Sequence, residues 1–98
     1  MENHAAYKFS ITVRSDDLPT VYALRGLADY SQTSGNKRIA WGGTTDESWR
    51  RNSHQVTFRF STTAYRANFE KEAARLLPSA LWSIVVMNDN DPAKRRRR

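Results

Sequence analysis

The residues with the most chemistry to offer are cations. Lys94, Arg95, Arg96, Arg97 and Arg98 form an unbroken run, and such a run draws in phosphates or an acidic protein surface by electrostatic attraction. Lys8, Arg14, Arg38 and Arg59 make a second set, interleaved along the chain with Ser10, Thr12, Thr57 and Ser61. Guanidinium and ammonium groups among hydroxyls suit phosphate oxygens. The third candidate is Trp49 with Arg50 and Arg51. An aromatic beside two guanidinium groups is the composition of a protein-interface anchor, and it could equally stack on a base.

Catalytic groups are sparse. His4 and His54 are the only histidines, one at a chain end and one at the start of a strand pattern, so no two-histidine metal site is expected. There is no cysteine, which removes disulfides, thiolate metal sites and thiol nucleophiles together. Asp16 and Asp17, like Asp89 and Asp91, lie in turn-forming sequence and read as cap and turn carboxylates. Gly42-Gly43-Thr44-Thr45 lacks the Lys-Ser/Thr pair and the following helix of a nucleotide loop. No nucleophile and base are paired, so the expectation is a non-enzymatic chain without cofactor or metal.

The formal charge sharpens the first candidate. Sixteen Lys and Arg stand against ten Asp and Glu in 98 residues, a net +6. The C-terminal run supplies five of those cations, so the remainder is nearly neutral. A run of like charges repels itself and buries nothing, which predicts a flexible tail. The apolar content of 39% is ordinary for a globular domain. No apolar stretch approaches the ~18 residues of a membrane span. The opening Met-Glu-Asn-His-Ala-Ala lacks the basic and apolar parts of a secretory signal, so a cytoplasmic location and no membrane partner are expected.

The elements that would position these groups follow from periodicity. Tyr7, Phe9, Ile11 and Val13 alternate with Lys8, Ser10, Thr12 and Arg14, a strand with one buried face. Asp16-Asp17-Leu18-Pro19 opens a helix carrying Val21, Leu24 and Ala28 inward, with Gly35 or Asn36 after its end. Ile39 and Trp41 predict a short second strand over 37–41, followed by a polar loop through Ser53. Val56, Phe58 and Phe60 mark a third strand. Thr62 or Thr63 caps a second helix with Tyr65, Phe69, Ala73 and Leu76 on one stripe. Leu81 to Met87 is the last strand, rich in β-branched residues.

The order β-α-β-β-α-β predicts an α+β, ferredoxin-like sandwich: a four-stranded antiparallel sheet with both helices on one face. A single domain would span 1–88 and the basic tail 89–98. The uncovered sheet face would carry Lys8, Arg14, Arg38 and Arg59. Stacking aromatics of the RNA-recognition type are not expected there, because Phe58 and Phe60 share the buried face with Val56. The leading expectation is a small binding module that contacts nucleic-acid phosphates through this face and the tail, with little base preference. The alternative is a protein-interaction module anchored by Trp49, Arg50 and Arg51. It would self-associate as a homodimer, or act as a small inhibitor or adaptor of a larger complex, of the kind mobile elements encode.

Overall fold

The computed structural model describes residues 4–35, 37–42 and 44–93. Three strands form one antiparallel sheet: β1 (Phe9–Arg14), β2 (Gln55–Phe60) and β3 (Ser83–Asn88). Four helices join them: α1 (Leu18–Ser31), α2 (Lys37–Trp41), α3 (Asp46–Arg51) and α4 (Thr63–Leu76). The sheet order is β2-β1-β3. Phe9 lies opposite Phe60 and Arg14 opposite Gln55 on one side of β1. Ser10 lies opposite Asn88 and Arg14 opposite Ser83 on the other.

The α+β class holds, but the sheet has three strands among the described residues, where four were expected. Residues 37–41 are helix, and the ferredoxin-like arrangement is corrected accordingly. The reason is visible in burial. Ile39 and neighbouring Ala40 are both buried, which adjacent strand positions on a one-sided sheet cannot be, because they point to opposite faces. Five residues are too few for periodicity to separate the two states.

The expected loop likewise holds a helix. Thr45 caps α3, its side chain accepting from the amide of Ser48. Asp46 and Glu47 occupy the first turn and Arg50 and Arg51 the last, as the helix dipole favours.

The longer helices start where the sequence says. The Asp17 carboxylate accepts from the Thr20 amide and hydroxyl at 3.2 and 2.6 Å, with Pro19 in the first turn. Thr62 caps α4 through the amide of Tyr65.

The core fills between sheet and helices. Ile11, Val13, Val56, Phe58 and Phe60 come from the sheet, Val21, Leu24 and Ala28 from α1, and Phe69 and Ala73 from α4. The Phe69 ring sits 4.9 and 5.3 Å from those of Phe58 and Phe60, in tilted packing. Buried Gln32 ties the end of α1 to the turn after β2. Its Nε2 donates to Ser34 O and Ser61 Oγ, and its Oε1 accepts from the Ser61 amide. All three bonds satisfy an amide that would otherwise be costly to bury.

Candidate functional site

The predicted basic face is largely neutralised from within the chain. Arg59 reaches across to Asp91: its Nη2 contacts both carboxylate oxygens at 3.1 and 3.2 Å, and its Nε donates to the Asp91 carbonyl. Arg14 pairs with Asp16 at 3.1 Å. Lys8 precedes β1, with its Nζ 5.6 Å from the ring centroid of Phe9. Arg38 lies on α2, off the sheet, which corrects its placement on a strand. Lys94, Arg95, Arg96, Arg97 and Arg98 lie outside the described residues, and with them the flexible-tail expectation.

The turn carboxylates that looked remote in sequence are therefore the counter-ions. Asp89 pairs with Arg66 at 2.7 Å, and the Asp91 and Ala93 amides donate to the carbonyls of Lys8 and Tyr7. Residues 89–93, assigned to the tail from sequence, are tied to the body by these contacts. Between β2, β1 and β3 the open face forms a groove of about 430 Å³, with Thr12, Thr57, Arg59, Val85 and Val86 among its walls. Thr12 and Thr57 share a hydrogen bond across it at 2.7 Å.

The Trp49 anchor is inside. Its side chain is 7% exposed, and its indole Nε1 donates to the Ser15 carbonyl at 2.6 Å. The His54 ring stacks on it with centroids 4.2 Å apart. Arg50 and Arg51 remain exposed, paired along α3 with Asp46 and Glu47. Only those two of the proposed anchors face solvent.

His54 also meets Asp16, with 2.9 Å between Nδ1 and Oδ1. This hydrogen bond foremost, helped by the charge of Arg14, holds the Asp16 carboxyl below the usual carboxylate range. Ser53 and His54 both have left-handed backbone, φ 58° and 63°. Non-glycine residues hold that conformation only where surroundings compensate. Here the His54 amide donates to Trp49 O and its carbonyl accepts from the Ser15 amide. The cluster staples the α3–β2 turn to the β1–α1 turn.

Strand β3, whose Val85 and Met87 the sequence offers as further contacts for the protein-interaction alternative, is exposed along its whole length. All six of its residues are exposed: Ile84 39%, Val85 48%, Val86 53% and Met87 45%. The helices explain this, since α4 packs over β1 and β2 and α1 packs on α4 and α2. Leu76, expected in the α4 stripe, and Leu81 are exposed as well. The sequence signal was present: four consecutive apolar residues cannot all face inward from a strand covered on one side. Among the described residues β3 is an edge, with one side paired to β1 and the other unpaired.

Among those residues no group of three metal-ligating side chains converges, and no helix is long and apolar enough to cross a membrane. Comparison with protein-family models, with curated proteins and with solved structures finds no match to this chain.

Proposed function

We propose that this chain is a protein-binding module, without catalytic chemistry of its own, whose contact surface is the free edge of β3. The observation that carries the reading is an edge strand of uncharged residues with four exposed apolar side chains in succession. Natural edges are often blunted by Pro or by charged side chains such as Lys, and Ser83 to Asn88 contain neither. An open edge with pockets for alternate side chains is the means by which domains add a strand from a partner. Trp49 on α3 is poorly suited as the anchor, because its aromatic is committed to the core.

The test is selection of random extended decapeptides on the immobilised chain, with counter-selection on Val86→Lys. Binders that require Val86 support the reading. A selection that yields none, from a chain that shows no Val86-dependent self-association either, overturns it.

The C-terminal cations favour a second reading, contact with nucleic-acid phosphates through the tail. The Ala93 amide is held by the Tyr7 carbonyl, so the described chain is fixed to the domain up to the residue before the cationic run. Arg59 and Arg14 already hold carboxylate partners, so the sheet face would add little. Five tail contacts predict a log–log salt slope of about −4 to −5 on duplex DNA. Deleting residues 94–98 abolishes that slope under this reading, and Arg59→Ala leaves it nearly unchanged. Binding that survives the deletion ends it.

A further inference from the structure

We infer that the partner fitted to the β3 edge is a second copy of this chain, paired antiparallel about a two-fold axis between Val85 and Val86. This rests on the reading of β3 as a contact surface and narrows it to one occupant.

Strand β3 carries a bulge. Thr12 lies opposite Val86 and Val13 opposite Ile84, so Val85 is an extra residue with no partner in β1. Residues directly opposite in an antiparallel pair share a face. Ile84 and Met87 therefore lie on the helix side with Val13 and Ile11, and Ser83, Val86 and Asn88 lie on the open side with Arg14, Thr12 and Ser10. Val85 lines the open-face groove together with Val86. Along the strand the faces run open, helix, open, open, helix, open, which reads the same in both directions.

Chemistry follows the same symmetry. Antiparallel pairing about the strand centre sets Ser83 against Asn88, Ile84 against Met87 and Val85 against Val86, and every pair shares a face. A continuous antiparallel sheet built by a two-fold axis perpendicular to it requires that match, because the rotation preserves faces.

The bulge selects the occupant. An extra residue ordinarily blunts an edge against a regular strand. A strand with the same bulge at the same place matches it, and the chain's own β3 is such a strand. Charge does not oppose the approach. The strand is uncharged, and the nearby carboxylates Asp89 and Asp91 are held by Arg66 and Arg59.

Six residues a side is well below the 20–30 of a standard interface. The expected dimer is accordingly of micromolar strength or weaker, on the order of 1–100 µM.

Sedimentation velocity of the full chain, from about 1 µM to 1 mM, tests it. Monomer should give way to dimer as concentration rises. Val86→Lys should weaken the association by more than about tenfold, because two like charges meet beside the axis. The substituted side chain is exposed, so circular dichroism and thermal midpoint should stay at the wild-type values. Mixing Val86→Lys with Val86→Glu should restore a dimer of one copy each. A chain that is monomeric throughout, or a dimer indifferent to Val86→Lys, overturns the inference. The peptide selection described above separates the two failures. Val86-dependent binders beside a monomeric chain leave the contact surface standing without the second copy, and a chain that neither selects binders nor self-associates through Val86 removes both.

Discussion

Replacing Trp49 separates a core residue from an interface anchor. The indole is almost fully buried, stacks on His54 and donates 2.6 Å to the Ser15 carbonyl. Trp49→Ala removes a large buried side chain, a change that costs about 3–5 kcal/mol in well-packed cores. Domains of this size have only about 5–15 kcal/mol in all, so the loss takes a large part of the total. A change of 1 kcal/mol moves the midpoint of a 60–100-residue domain by about 4–8 °C. The expected fall for Trp49→Ala is therefore roughly 12–40 °C or outright unfolding.

Trp49→Phe keeps a ring but loses the N–H donor. It leaves the Ser15 carbonyl without that partner, a penalty of about 1–3 kcal/mol. Chemical denaturation followed by far-UV circular dichroism measures both, since two other tryptophans complicate fluorescence. The expected order is wild type, then Phe, then Ala, with steps of comparable size. An alanine variant within about 0.5 kcal/mol of wild type, the usual range of exposed positions, refutes the burial argument and returns Trp49 to the surface as an anchor.

Other outcomes follow from the same contacts. Asp91→Asn should weaken the clamp on residues 89–93 by about 1 kcal/mol, read as faster hydrogen exchange at the Asp91 and Ala93 amides. Asp16 and Glu72 both hold folded pKa values below the usual range, Asp16 chiefly through His54 and Glu72 chiefly through Arg75. A depressed carboxylate contributes its full stability above the unfolded pKa, near 4, and loses it as pH falls through the folded value. The stability gap between wild type and Asp16→Asn should therefore be fully open at pH 7, begin to narrow near about pH 4 and close as pH falls through the lower folded value. Gly26→Ala should stabilise α1 by about 0.5–1 kcal/mol, since nothing lies within 4 Å of the added methyl. Gly35→Ala should destabilise by at least about 1 kcal/mol, because φ is +73° and the new Cβ would collide with the Tyr7 hydroxyl.

Several features were legible in local sequence because local physics decides them. Strict alternation located β1 and β2, and the caps at Asp17 and Thr62 placed α1 and α4. Helix α3 was equally legible: Thr45 as cap, acids in the first turn, arginines in the last and two i,i+4 pairs spell a helix within the stretch expected to be loop. Residues 37–41 carried too few residues to speak either way.

What alternation and spacing determined was which side chains share a strand face and where the long helices begin. Those depend on backbone geometry over a few residues. Tertiary structure alone decided which charges are free. Arg59 and Asp91 are 32 residues apart. It also decided which apolar strand remains uncovered, because that depends on where α1 and α4 come to rest on the sheet. A cationic sheet face was a fair inference from period two. Its neutralisation, and the bare β3 edge beside it, arise from contacts between segments whose separation no local pattern encodes.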